Sequence, residues 1–536
     1  MAGTSERLRN VTATISTLVS SGIVGLERPD KTVRAVSALA KFGPSAAAAL
    51  EMAAVRKPDT IAVIDDDGIH TWGDLGDRAS ALARALHQRG IKAGSAVGTM
   101  LRDQADFPVA VAAVSRIGAD LILLNTSFAA PQIGGVVERE EVELVICDAE
   151  FEGLMKAAGV EVPIMLAGSQ SDEAGSESVS DAVRTAPSEE PPTPETPGRT
   201  VILTSGTTGT PKGARRGKQP GLSEMAALLD KIPYRAGETT VISAPLFHSW
   251  GFANMTIQIA LGNTMVLRRK FSPAQTVEDV NRYDASGLVV VPVMLKRMLE
   301  LDENQRAVAP GTLRIIALSG SAFPADLALA AASEYGQVCH NLYGSTEVAW
   351  ATIATPEDLR EAPGCAGKPP RGVLVTLVDE EGSEVAQGER GRIFVANEML
   401  FEGYTGGGGK EVLEGMMSTG DVGYFDEGGR LFVEGRDDDM IVSGGENVFP
   451  EEVEDCINSH PAVLEAAVVG VPDEEFGQRL RAAVVLNGGA TATADELSSH
   501  VKEQLARYKV PREILFLDEL PRNATGKILR RRIAEL

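Results

Sequence analysis

The stretch Thr204-Ser205-Gly206-Thr207-Thr208-Gly209-Thr210-Pro211-Lys212-Gly213 gathers hydroxyls, glycines and one lysine directly behind the apolar run Thr200–Leu203. Backbone N–H groups and Ser/Thr hydroxyls in such a loop can cradle phosphate oxygens. The glycines let the chain approach closely, and Lys212 adds positive charge. A P-loop is excluded, because Lys212 stands between Pro211 and Gly213 and the Gly-Lys-Ser/Thr ending is missing. The competing reading of the run is a flexible Thr/Gly turn.

Two further groups carry candidate chemistry. Asn341-Leu342-Tyr343-Gly344-Ser345-Thr346-Glu347 follows a strand-like run. A tyrosine can stack on a purine, a threonine can bond phosphate, and a glutamate can hold magnesium. By itself the segment reads more often as an ordinary turn with a half-buried tyrosine. In Ser418-Thr419-Gly420-Asp421 the carboxylate can accept from both hydroxyls of a ribose, with Arg436 as a partner, or it can simply cap a turn.

The elements that must position these groups alternate between strand and helix. Thr60–Asp65 reads as a strand, a helical stretch ends near Arg89 with Gly90 as its stop, and Gly94–Met100 is a strand again. Leu288–Val291, Leu313–Leu318 and Val338–Leu342 read as buried strands, each followed by a loop or helix of the kind that places ligands at strand ends. Between Gly168 and Gly198 a Ser-, Glu- and Pro-rich stretch predicts an exposed connection. Past Arg436 a compact final unit is expected: a helix opened by Pro450, strands at Ala467–Val471 and Leu480–Leu486, and a helix from Ala494 to about Tyr508. Thr493 and Glu496 have capping-box spacing at the start of that last helix.

Composition narrows the class. The 536 residues are 43% hydrophobic, enough for a large core and more than one domain. A formal charge of −24 repels a nucleic-acid backbone, so no nucleic-acid partner is expected and any polyanionic ligand must meet a locally basic site. Cys147, Cys339, Cys365 and Cys456 are far apart and form no CxxC pair. Neither a zinc site nor a disulfide framework is predicted, and a reducing cytoplasm fits best. Val11–Leu26 is too short and too polar to span a bilayer. It reads as an N-terminal packing helix, with peripheral attachment to the inner membrane face as the alternative.

These segments, in this order, resemble the adenylate-forming superfamily of acyl-CoA synthetases, luciferases and peptide-synthetase adenylation domains. The resemblance runs from about Thr60 to the C-terminus. It also rests on Pro245-Leu246-Phe247-His248-Ser249-Trp250-Gly251, on Gly435-Arg436-Asp437-Asp438-Asp439, on Ser443-Gly444-Gly445-Glu446-Asn447-Val448-Phe449-Pro450, and on Pro521-Arg522-Asn523-Ala524-Thr525-Gly526-Lys527. The Ser-Gly-Gly-Glu-Asn segment looks most like the fatty acyl-CoA synthetase branch. The fold implied is α/β: a large multi-subdomain N-terminal domain over residues 1–437, and a small mobile α+β domain over 438–536.

The resemblance also implies roles. Thr204, Ser205, Gly206, Thr207, Thr208 and Lys212 would hold the ATP phosphates, and Thr204 with Glu347 would support Mg2+. Tyr343, within Asn341, Leu342, Gly344, Ser345 and Thr346, would lie against adenine, with Gly320, Ser321 and Ala322 on its other side. Asp421 and Arg436 would hold the ribose. Lys527 would place its cation at the α-phosphate, and His248 would stand beside the carboxylate and the nucleotide. One well-placed transition-state contact of the Lys527 kind contributes ~3–4 kcal/mol. Asp438 matches the family's hinge, and Ser443, Gly444 and Gly445 match the pantetheine channel. Outside the family context, His248 reads as structural, Lys527 as solvated charge and Asp438 as an exposed acid.

The implied reaction joins a fatty acid, medium to long, to coenzyme A through an acyl-adenylate. Trp250, Phe252, Met255, Val293 and Met294 would line the acyl pocket, each buried methylene contributing ~0.8 kcal/mol, although any one of them can also be plain core. A ligase loading a carrier protein, a synthetase for another hydrophobic acid, a luciferase-like oxygenase and a non-catalytic nucleotide sensor are the alternatives. Homodimer formation is left open.

Overall fold

The computed structural model describes the chain apart from residues 1–3, 25–28, 169–176, 205–210, 216–220, 437–439 and 522–527, and the side chains of 4–9, 204 and 436. Short Val/Ile/Leu-rich runs such as Gly287–Val290 and Ile315–Leu318 are buried at every position. This is the signature of parallel strands covered on both faces. They belong to an eight-stranded sheet that also contains Thr239–Ile242, Thr264–Leu267, Ile61–Ile64 and Cys339–Ser345. A seven-stranded sheet carries Ala96–Met100 and Thr200–Thr204, and a third, antiparallel sheet carries Met416–Phe425 and Leu431–Arg436.

The final unit is a separate α+β body. Its first hairpin pairs Ile441–Ser443 with Glu446–Val448, Ser443 opposite Glu446. The two residues between, Gly444 and Gly445, have φ of +60° and +88°. That is the geometry a two-residue primed turn demands, and glycine meets it without strain. Pro450–Asn458 packs beneath the antiparallel pair Val463–Asp473 and Gly477–Leu486, and Glu513–Phe516 joins in parallel. The helix Ala494–Gln504 carries the expected Thr493/Glu496 capping box.

Three local expectations are corrected. The last long helix stops at Gln504 rather than Tyr508, because the following residues turn inward. Ala506 joins a core of the large unit, Tyr508 touches the cores of both units, and Lys509 is buried against Glu452. The Gly168–Gly198 connection holds a short helix, Val179–Arg184, which buries Val179 and Ala182 and is capped by Ser178. The strand expected to end at Leu342 continues to Ser345, paired with Ala349–Ala354. At the N-terminus the helical segment is Thr4–Ser20, and a second helix, Pro29–Phe42, follows it. All four cysteines are free. Among the described residues no helix is long and apolar enough to cross a membrane.

Candidate active site

Four parallel strands of the eight-stranded sheet end side by side: Thr239–Ile242, Gly287–Val290, Ile315–Leu318 and Cys339–Ser345. Ligands of open α/β sheets sit beyond the carboxyl ends of such strands. Here those ends deliver Pro245, His248 and Trp250, then Val291, Val293 and Met294, then Gly320 to Ala322, and finally Asn341 to Thr346, all to one cavity of about 1610 Å³. The small unit closes it with Gly444, Gly445, Glu446 and Phe476.

Local packing fixes the first of these segments. His248 begins the helix Ser249–Leu261 in extended backbone conformation, and Leu246 N–H donates to Asp103 Oδ1 at 3.0 Å. A Cβ at Gly251 would lie 2.2 Å from the Pro245 carbonyl oxygen, so only glycine lets the helix start this close to the loop. Trp250 Nε1 donates to the Val290 carbonyl at 3.2 Å, which leaves the indole face to the cavity wall.

The electrostatic centre lies where the two units meet. His248 Nε2 stands 2.9 Å from Glu446 Oε1, both half-buried. Burial alone would lower the His248 pKa, but the charge and hydrogen bond of Glu446, with the field of Asp103, hold it above its ordinary value. Burial alone would raise Glu446. The charge and hydrogen bond of His248, helped by Asn125 and Lys509, keep it below the usual carboxylate range. Asp103 is pushed up to about 7 by burial, against the opposing pull of the Leu246 N–H, Arg102 and His248. Other contacts reinforce the junction: Arg297 pairs with Glu475, Lys296 donates to the Glu474 carbonyl, and Gln132 Nε2 donates to Glu452 at 3.4 Å.

On the opposite wall, Tyr343 donates its hydroxyl to Asp421 Oδ2 at 2.5 Å, and backbone register sets Asp421 directly across from Arg436. Glu347 is buried, its Oε1 accepting from the Tyr404 hydroxyl at 2.7 Å. Lys212 Nζ lies 5.7 Å from the centre of that same tyrosine ring. Asn341 lines the cavity, and its buried Oδ1 has no hydrogen-bond partner among the described residues.

Of the sequence-derived residues, the cavity gathers His248, Trp250, Val293, Met294, Gly320, Ser321, Ala322, Asn341, Leu342, Tyr343, Gly344, Ser345, Thr346, Asp421, Gly444 and Gly445. Two acyl-pocket candidates lie outside the cavity lining. Met255 is fully buried in the main core, and Phe252 packs against that core; Ala253 lines the cavity instead. Ser443, Glu347 and Lys212 are not among the residues that line it. Ser205, Gly206, Thr207, Thr208, Asp438 and Lys527 lie outside the described residues, as do the side chains of Thr204 and Arg436. Sequence reasoning quoted Glu446 inside a motif without giving it a role, and missed Asp103, Asn125, Trp350 and Phe476 entirely.

The cavity thus lies at the strand ends of an α/β unit and is bordered by a glycine hairpin from a small second unit. Comparison with known proteins makes the class specific. Residues 50–405 match the AMP-binding enzyme model and residues 452–527 match the AMP-binding enzyme C-terminal domain model. The chain belongs to the AMP-binding enzyme family, and its class is that of AMP-forming acid–thiol ligases, which work with ATP, magnesium and coenzyme A.

A 2-succinylbenzoate–CoA ligase of Geobacillus kaustophilus is 34% identical over 496 residues, covering 91% of this chain and 97% of the relative. A fatty acid–[acyl-carrier-protein] ligase of Streptomyces coeruleorubidus is 31% identical, covering 90% and 94%. Among solved structures, the Bacillus subtilis o-succinylbenzoate CoA synthetase, as a double mutant bound with its product analogue, gives a TM-score of 0.80 at 28% identity, covering 91% of this chain and 98% of its own. The same enzyme with its acyl-adenylate intermediate gives 0.66 at 29% identity, over 90% and 97%.

Proposed function

We propose that this chain is a fatty acid–CoA ligase for medium to long acids, which forms an acyl-adenylate and passes the acyl group to coenzyme A in the same cavity. One observation carries the reading. The polar wall of Asn341, Tyr343 and Asp421, the apolar wall of Trp250, Val293 and Met294, and the small unit's Gly444 and Gly445 all face a single space. A nucleotide, an apolar acid and a thiol arm therefore share one meeting point.

The roles follow from position. Asn341 Oδ1 would accept from the adenine amine, Tyr343 would lie against the base, and Asp421 with Arg436 would hold the ribose. Thr204 to Lys212 would receive the triphosphate. Glu347 and Thr204 would hold Mg2+, a carboxylate and a hydroxyl suiting a hard cation, and the ion would supply positive charge to the phosphates. Lys527 would neutralise the phosphate under attack, and His248 would stand beside the acyl carboxylate. The units would divide at 437/438 and turn about Asp438, exchanging Lys527 for the Gly444–Gly445 turn between half-reactions. The greater likeness to the product-analogue complex than to the adenylate complex supports reading this arrangement as the thioester-forming one. The reading extends to peripheral contact with a membrane, where such acids partition.

The test is acyl-CoA formation with ATP, Mg2+ and coenzyme A across a ladder of saturated fatty acids, with 2-succinylbenzoate alongside. A chain-length optimum among the fatty acids supports the reading. Preference for 2-succinylbenzoate, favoured by the 34% identical relative, would replace it. Adenylate without thioester would move the chain to carrier-protein loading, the activity named for the Streptomyces relative.

A further inference from the structure

The AMP-binding enzyme model begins at residue 50, leaving the helices Thr4–Ser20 and Pro29–Phe42 outside it. Each has one packed face. Leu18 and Thr17 of the first are buried against the helix Leu222–Lys231, and Ala35, Ala38 and Phe42 of the second against Ala46–Arg56. Each also has a second apolar face that none of the described residues covers. Val11, Ile15 and Val19, spaced four apart, are 58%, 57% and 53% exposed, and Val33, Val36 and Leu39, spaced three apart, are 69%, 60% and 42% exposed. Such spacings align side chains along one side of a helix. Among the described residues, seven of the seventeen exposed large hydrophobics fall between positions 11 and 39, a concentration that marks an interaction surface.

We propose that these two aliphatic faces dock the enzyme on an anionic lipid bilayer. Charge selects the occupant. Among the described side chains of residues 1–49, Lys31, Arg34 and Lys41 are basic and Asp30 is acidic, a local +2 on a chain whose total is −24. On Pro29–Phe42 the exposed Arg34 and Lys41, seven residues apart, share one side of the helix, about a quarter turn from Val33. An anionic surface attracts this end and repels the rest, so docking is oriented as well as attractive. A second copy is the poorer partner, because it would bring a like-charged face against this one and two strongly acidic bodies together. The inference rests on the surface alone and is independent of which acid the cavity takes.

The test is flotation of the full-length protein with vesicles of phosphatidylcholine, and of phosphatidylcholine with one quarter phosphatidylglycerol. The wild type is expected to float with the anionic vesicles, about tenfold less with neutral ones, and less at high salt. Val36→Asp with Leu39→Asp, and separately Arg34→Glu with Lys41→Glu, should each lower association about tenfold or more. Both should leave acyl-CoA formation from a short water-soluble acid unchanged. No flotation of the wild type, or undiminished flotation of Val36→Asp/Leu39→Asp, would overturn the proposal. So would a concentration-dependent dimer lost in that variant without vesicle association, which would assign the face to a second copy.

Discussion

His248 on the large unit and Glu446 on the small one meet at 2.9 Å, so the contact exists only while the two units are docked as they are here. The pair stabilises docking, and its pH dependence has a definite sign. His248 is held above its ordinary 6.5, so its contribution is complete below that value and is lost as pH rises through the raised one. Glu446 is held below its ordinary 4.5, so its contribution is present above that value and is lost as pH falls through the depressed one. Docking should be strongest in mildly acid solution and weaken on the alkaline side. Glu446→Gln should cost about 1–2 kcal/mol of docking and flatten the dependence. Energy transfer between dyes on the two units measures it. An unchanged profile in the variant would remove the pair from this role.

Asp103 should make the large unit less stable as pH rises. Its carboxyl is raised from 3.8 to about 7, so between those values the folded chain holds a proton that the unfolded chain has released. The stability it confers is present below the unfolded value and is lost as pH climbs through about 7, at no more than about 1.4 kcal/mol per pH unit. Asp103→Asn keeps an acceptor for the Leu246 N–H and should remove this slope. Urea unfolding at several pH values reads the difference.

Glycines 251 and 344 should tolerate no side chain. A Cβ at Gly344 would sit 2.0 Å from the Ala349 carbonyl oxygen and one at Gly251 2.2 Å from that of Pro245, both against backbone that cannot swing aside. Gly344→Ala or Gly251→Ala should cost about 1–3 kcal/mol, or more. The thermal midpoint should fall and the cavity walls should shift with it. A melting temperature equal to that of the wild type would contradict the packing described.

Acyl selectivity should respond to Met294 and Val293 and not to Met255. Met294→Ala should move the chain-length optimum toward longer acids. Val293→Phe should shorten it, each methylene gained or lost changing kcat/KM about fourfold. Met255→Ala, deep in the core, should instead cost about 2–5 kcal/mol of stability and leave the optimum where it was. A shift of optimum in Met255→Ala alone would reverse the assignment.

The contrast between Phe252 and Ala253 shows what sequence could and could not reveal. Strand ends and the Thr493/Glu496 cap are local patterns, and each is readable within a few residues. Which face of Ser249–Leu261 looks into the cavity depends on a rotation of about 100° per residue, set by packing elsewhere. The motif therefore located the wall and its Trp250, while Ala253 rather than Phe252 lines it further along. The His248–Glu446 contact spans 198 positions and depends on how two bodies dock, so no local pattern announces it. The same holds for Asp421, whose partner Tyr343 arrives from a different sheet.

The central claim is that one cavity serves two half-reactions through different residues of the small unit. It is tested most directly by single-turnover measurements that follow pyrophosphate release and thioester formation separately, on the wild type and on Lys527→Ala. The account predicts that Lys527→Ala loses pyrophosphate release by orders of magnitude, yet still converts a supplied acyl-adenylate and coenzyme A to thioester at close to the wild-type rate. Equal loss of both steps, or of neither, would contradict it.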